Sequence, residues 1–372
     1  MEESAELMAP DRASPTARSD RRPWLIGGPA RCGKSSLARA VAATGGGPAV
    51  LPVDALFPAY LRRRFPFFRR NRQRILRDYL LRPRYTDPGR SRTVRPIDAF
   101  TSPIEEIVDA IVAGEAKHHI TLFAAALDRL AQEQGRKTWL AVDVHPELQF
   151  HVLRRLVPGL RLIVMLRDAR EAVAASLYWR GFPKRTQSGH KQFHYRLLLW
   201  VLSAQTGFDL AAAEPETVVV VSFNGLLAGA DQGMGRTLDL DADSFANTFD
   251  GLPLFSFDPD RGFLCPDGEW RPLLSAEEMA LIEMVAGPWM DRLGLARATD
   301  GLSNARSHWS RFLARAVLRV GRFDPAAAKS LAELLLLPGP WSARRIAGTR
   351  QRLKDLLDGG RLVVASTSPE ER

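Results

Sequence analysis

Gly28-Pro29-Ala30-Arg31-Cys32-Gly33-Lys34-Ser35 places two glycines, a lysine and a hydroxyl in the spacing G-x-x-x-x-G-K-[ST], between a short apolar run and a segment of helical periodicity. Glycines in that spacing let the backbone close around phosphate oxygens, successive amides point inward, and the amino end of the following helix adds a favourable field for negative charge. The pattern leaves the nucleotide open. In an ATP-dependent small-molecule kinase, Lys34 would reach the β- and γ-phosphates, Ser35 would hold magnesium, and Asp143, at the end of the run Trp139–Val142, would be the metal-holding acid. A nucleotide-binding regulator without catalysis fits the same loop.

A second set of residues narrows the choice. Residues 139–180 read WLAVDVHPELQFHVLRRLVPGLRLIVMLRDAREAVAASLYWR: an apolar strand, a polar turn with proline, a helix, a second strand, then Arg167-Asp168 and an alanine-rich helix bearing Ser176. Arg167 leaves the carboxyl end of a strand, where open α/β sheets place ligands, and an arginine fork suits a dianionic phosphate.

This stretch resembles the sulfotransferases that use 3′-phosphoadenosine 5′-phosphosulfate, and residues 28–37 resemble their phosphate loop, a Pro-Arg-Ser-Gly-Thr-like segment. The resemblance implies a clasp on the 5′-phosphosulfate made by Gly28, Arg31, Cys32, Gly33, Lys34, Ser35 and Ser36, with Lys34 as the departure from the family pattern. It implies a 3′-phosphate held by Arg167 and Ser176, with Arg170 taking a share because the spacing from Arg167 to Ser176 is nine rather than eight. Arg31 and Lys34 would stabilise charge during transfer, and no metal is required. For the base the resemblance offers two residues, Asp54 after the second strand and His145 after the third, and Asp54 is preferred. The acceptor would be a hydroxyl or amine of a small molecule, glycan or lipid. Residues 218–227, VVVVSFNGLL, resemble the family's late strand and turn, with Phe223 and Asn224 in place of the usual residues, and residues 274–295 resemble a helical ending of bacterial members.

The elements that must position these residues are legible as apolar runs. Strands are expected at 24–26, 49–53, 138–142, 160–166 and 218–223, alternating with helices that begin near 35, 149, 170 and 192. A further helix is expected over 102–134, with the Ser102 oxygen capping its free amides. Strand and helix in alternation predict an α/β fold of P-loop nucleotide-binding type: a parallel sheet of about five strands with helices on both faces and helical C-terminal additions.

With 372 residues and 45% hydrophobic content, the chain is long enough for one large domain, expected over 23–295. Residues 1–22 lack the apolar run of a secretory signal and are expected to be a disordered lead-in. Residues 62–95 carry thirteen arginines against Asp78 and Asp87, with aromatics interleaved, and are expected to form a basic lid or insertion. Residues 296–372 are expected to be a helical extension, in which Arg311, Arg315 and Arg319 share one face that would suit peripheral membrane contact. The formal charge of +10 reads chiefly as a solvated basic surface, no specific nucleic-acid partner is expected, two cysteines point to a reducing, cytoplasmic setting, and oligomeric state is not readable.

Overall fold

The computed structural model describes residues 22–44, 46–54, 71–82, 85–87, 92–114, 119–143, 145–178, 187–229, 232–238, 240–250 and 273–297. The expected lead-in before residue 22, much of the basic segment at 62–95 and the C-terminal extension beyond residue 297, with its arginine face, lie outside these residues.

Five strands form the central sheet: β1 (Trp24–Gly27), β2 (Ala49–Asp54), β5 (Trp139–Val142), β6 (Arg161–Leu166) and β7 (Val218–Ser222). Their order is β2-β5-β1-β6-β7, and every neighbouring pair is parallel. A short antiparallel hairpin of β3 (Tyr85–Asp87) and β4 (Arg92–Val94) stands apart from it. All four residues of β1 and of β5 are buried. Since neighbouring side chains on a strand face opposite ways, that pattern requires cover on both faces of the sheet.

The helices are α1 (Lys34–Thr44), α2 (Arg72–Leu81), α3 (Ile104–Ala113), α4 (His119–Glu133), α5 (Phe150–Leu156), α6 (Ala169–Tyr178), α7 (Gln187–Ala213), α8 (Phe223–Leu227), α9 (Gln232–Thr237), α10 (Ala242–Asp250) and α11 (Ala276–Arg292). No helix among the described residues is long and apolar enough to cross a membrane. Leu37, Ala38 and Val41 recur at helical spacing on α1 and are buried, which fixes the helix against the sheet and aims its amino end at the loop after β1.

Each of the five expected strands is present within a residue or two of its expected bounds. Phe223 falls instead in α8, because Ser222 accepts the Gly225 amide and caps a helix there. The expected helix over 102–134 is two helices, and Ser102 does not cap the first. Pro103 stands at the cap position, while the Ser102 hydroxyl accepts from Arg129 Nη2 at 3.1 Å and Glu133 Oε2 takes the Thr101 and Ser102 amides. A carboxylate at the end of the next helix thus holds the turn before the first helix, whose own first-turn amides receive no side-chain cap. The basic segment is also partly regular: α2 and the hairpin lie in it, and Ile75, Leu76, Tyr79 and Leu80 of α2 are buried. The helix expected at the C-terminal end of the domain is α11, opened by a reciprocal capping box between Ser275 and Glu278.

Candidate active site

Parallel register aligns the carboxyl ends of the strands: Ile26 of β1 faces both Val142 of β5 and Ile163 of β6, and Leu166 faces Ser222 of β7. The phosphate loop, the turn at Asp143–Pro146, Arg167 and Phe223-Asn224 therefore leave the sheet along one edge, where parallel α/β sheets bind ligands.

The loop itself needs its glycines. Gly28 has φ 108°, and a Cβ there would lie 2.1 Å from the Met165 carbonyl oxygen; Gly33 has φ 83°, and a Cβ there would lie 2.1 Å from the Phe223 ring. Arg31 takes a left-handed φ of 69° without being glycine, a conformation that costs a non-glycine residue on the order of 1 kcal/mol and marks the stretch after Ala30 as a constrained turn. Lys34 is buried and donates from Nζ to the carbonyls of Gly28 at 3.0 Å and Pro29 at 2.5 Å, so its charge is held inside the loop. Cys32 is fully buried, and that burial pushes its thiol up to about 11 against the opposing pull of Lys34 and Arg167. Ser35 is exposed and Ser36 half-buried in the first turn of α1.

Arg167 is buried, donates through Nε to Glu171 Oε2 at 2.5 Å and lies over the Phe223 ring, 5.2 Å from its centroid. Burial raises the Glu171 carboxyl, which the charge and hydrogen bond of Arg167 only partly offset. Asn224 braces the pair, accepting the Asp168 amide at 2.9 Å and donating to Glu171. Arg170, expected at the phosphate, is committed elsewhere: its guanidinium binds Asp168, Glu283 Oε1 at 2.5 Å and the Ala296 carbonyl. Burial alone would lower its basicity, but those two carboxylates raise it above the ordinary arginine value. Arg170 thereby fastens α6 to α11.

Ser176 lines a small cleft with Pro29, Ala30, His145, Arg196 and Trp200. The structure thus brings together the loop apex, the expected serine and the expected histidine. His145 adopts a left-handed φ of 59°, which carries its side chain back beneath the loop while its amide donates to the Gly28 carbonyl at 3.3 Å. Its Nδ1 is 2.6 Å from Ser203 Oγ. Asp54, the other candidate base, closes β2, and only its backbone is described. Asp143, the candidate metal-holding acid, is buried and donates its amide to the Ile26 carbonyl at 2.9 Å. No cluster of three or more His, Cys, Asp or Glu placed to hold a metal ion occurs among the described residues.

Two participants have no counterpart in the sequence reading. Glu147 is buried two residues after His145 and accepts the Gly28 amide on Oε2 at 2.9 Å, and Ser203, in the middle of α7, donates to its Oε1. Burial would raise Glu147, but the hydrogen bonds from His145 and Ser203 hold it below the ordinary carboxylate value. The short His145-Pro146-Glu147 spacing was the one local signal available. Ser203 gave none.

The donor set at this edge suits a phosphorylated nucleotide: a glycine cradle that tolerates no Cβ, the amino end of α1, Lys34, Arg167 and the Ser176 hydroxyl.

No protein-family model matches the chain, and no curated protein matches it in sequence. Among solved structures it is similar to the sulfotransferase STF9 from Mycobacterium avium, at 13% identity over 75% of this chain and 79% of that one, with a TM-score of 0.41. It is also similar to the sulfotransferase STF1 from Mycobacterium tuberculosis H37Rv, at 15% identity over 73% of this chain and 77% of that one, with a TM-score of 0.37.

Proposed function

We propose that the chain is a sulfotransferase drawing on 3′-phosphoadenosine 5′-phosphosulfate and passing the sulfuryl group to a hydroxyl or amine of a small-molecule, glycan or lipid acceptor in the cytoplasm. The observation that carries this reading is the cleft in which the loop apex Pro29-Ala30, Ser176 and His145 meet, with Arg167 one strand away. A phosphate loop needs neither a histidine at its apex nor a second phosphate partner to bind ATP. Sulfuryl transfer from a 3′-phosphorylated donor uses both.

The co-substrate supplies the activated sulfuryl group. Loop amides and the α1 amino end receive the 5′ side, with Lys34 leaving the Gly28 and Pro29 carbonyls to meet charge on the bridging oxygen. Arg167 and Ser176 receive the 3′-phosphate. His145 takes the proton from the acceptor through Nε2, because Nδ1 is held by Ser203, a contribution of about 10²–10⁴-fold in rate. Preference thus passes from Asp54 to His145.

Ligand-induced thermal shifts test the reading. Adenosine 3′,5′-bisphosphate should stabilise the fold more than magnesium-ATP does, itself adding about 2.7 kcal/mol over the unliganded protein at a hundredfold over its dissociation constant. Stabilisation by ATP that depends on magnesium and exceeds that of the bisphosphate would replace sulfuryl transfer with phosphoryl transfer.

A further inference from the structure

We infer that Glu147 is a positioning residue: through Ser203 it fixes His145 in the tautomer whose Nε2 carries no proton, and through the Gly28 amide it ties that ring to the phosphate loop. The inference rests on the reading of His145 as the base.

Proton bookkeeping gives the tautomer. Both oxygens of Glu147 are occupied as acceptors, Oε2 by the Gly28 amide at 2.9 Å and Oε1 by the Ser203 hydroxyl. A hydroxyl has one proton. Having given it to Glu147, Ser203 can only accept from Nδ1 of His145, which lies 2.6 Å away. The neutral ring then bears its proton on Nδ1 and a lone pair on Nε2, the form a general base requires. Direct contact of Nδ1 with Glu147 Oε1, at 3.4 Å, favours the same proton position.

The charged groups around the ring agree with this assignment. His145 has Glu147 on its own turn, Ser203 and Arg196 from α7, and Lys34 across the Gly28 carbonyl. Glu147 is the carboxylate among them that bonds the relay, and the donors it collects keep it ionised. Space is fixed as well, since a Cβ on Gly27 would lie 2.7 Å from Glu147 Oε2 and 2.6 Å from Pro146 Cγ. The carboxylate is therefore wedged between β1 and the turn, and movement of the phosphate loop at Gly28 reaches the imidazole through Glu147 and Ser203.

Substituting Glu147→Gln should invert the relay. The amide oxygen can keep the Gly28 bond, but the amide nitrogen then donates to Ser203, which must turn its own proton on Nδ1 and drive the ring proton to Nε2.

The test is the ¹⁵N spectrum of histidine-labelled protein at pH 8, with the His145 signals assigned by their loss in His145→Asn. Wild type should show protonated Nδ1 and bare Nε2. Glu147→Gln should show the opposite tautomer, bind adenosine 3′,5′-bisphosphate within about threefold of wild type, and lose about 10²–10⁴-fold in single-turnover transfer. A wild-type ring protonated on Nε2 overturns the inference, and so does native transfer by a folded Glu147→Gln. If that variant does not fold, the wild-type spectrum and Ser203→Ala decide together, the latter expected to lose the fixed tautomer. A wild-type spectrum with bare Nε2 in a protein that prefers magnesium-ATP supports the positioning role and removes the sulfuryl-transfer reading.

Discussion

Arg167 reaches the ligand edge of the sheet already bonded to Glu171, Nε to Oε2 at 2.5 Å, one helical turn along the chain. Its positive charge is thus shared before any nucleotide arrives. Removing either partner should move phosphate affinity in opposite directions. Arg167→Ala should weaken adenosine 3′,5′-bisphosphate by tenfold or more, the equivalent of about 1.5–3 kcal/mol for a charge-assisted hydrogen bond, and leave adenosine 5′-phosphosulfate nearly unaffected. Glu171→Gln should tighten the bisphosphate. Calorimetric titration of both variants with both ligands decides it, and equal losses for the two ligands would make Arg167 a structural arginine.

Single-turnover transfer separates the two candidate bases. His145→Asn should lose about 10²–10⁴-fold while binding the bisphosphate normally, and Asp54→Asn should transfer at near-native rate. The reverse pattern returns the role to Asp54.

Two glycines with positive φ give a paired test of the loop. Gly46 has φ 66° and open space where a Cβ would go, so Gly46→Ala should cost only about 1–2 kcal/mol of left-handed strain. In Gly28→Ala the same strain is joined by a Cβ placed 2.1 Å from the Met165 carbonyl. Urea unfolding should show a clearly larger loss at Gly28, together with loss of bisphosphate binding.

The sequence carried the sheet well because its strands are apolar runs bounded by turns, and a buried parallel strand needs nothing else to be seen. It carried the loop because positive φ at Gly28 and Gly33 demands the residue type that sequence displays. Where partners lie far apart, the signal vanished. Arg170 reads as a phosphate ligand in sequence, whereas its guanidinium is bonded to Glu283, 113 residues away. Ser102 reads as a cap, but its hydroxyl accepts from Arg129, 27 residues away, and its own amide is held by Glu133. Ser203 sits among apolar neighbours of α7, 58 residues from the histidine it orients.

The Arg170 cluster should matter for stability and not for ligand. Arg170, Asp168 and Glu283 are all buried, and removing one member of such a set leaves an uncompensated charge at a cost of about 3–5 kcal/mol. Arg170→Met should therefore lower the urea midpoint substantially, with unchanged bisphosphate affinity in the fraction that remains folded.

Acid should weaken the Thr101–Ser102 turn selectively. Burial pushes Glu133 up, but hydrogen bonds from Ser102 and Thr101 outweigh it and lower the carboxyl to about 2 from an ordinary 4.5. A depressed folded value means stability that is complete above the unfolded value and lost as pH falls toward the folded one. Between pH 4.5 and 2 the wild type should lose this contribution, whereas Glu133→Gln, lacking it throughout, should show a shallower slope in urea melts.

The strand order has a kinetic meaning. β1 lies between β5 and β6, and the Gly28–Glu147 bond spans 119 residues, so the segments that line the cleft are strangers in sequence and neighbours only once the middle of the sheet has zipped. Pairings that span so much chain pay their closure entropy before they return anything. During refolding, nucleotide binding should accordingly emerge with the last cooperative phase, after helical signal has largely recovered, and a fragment ending before β5 should hold no ligand however well its glycine loop is preserved.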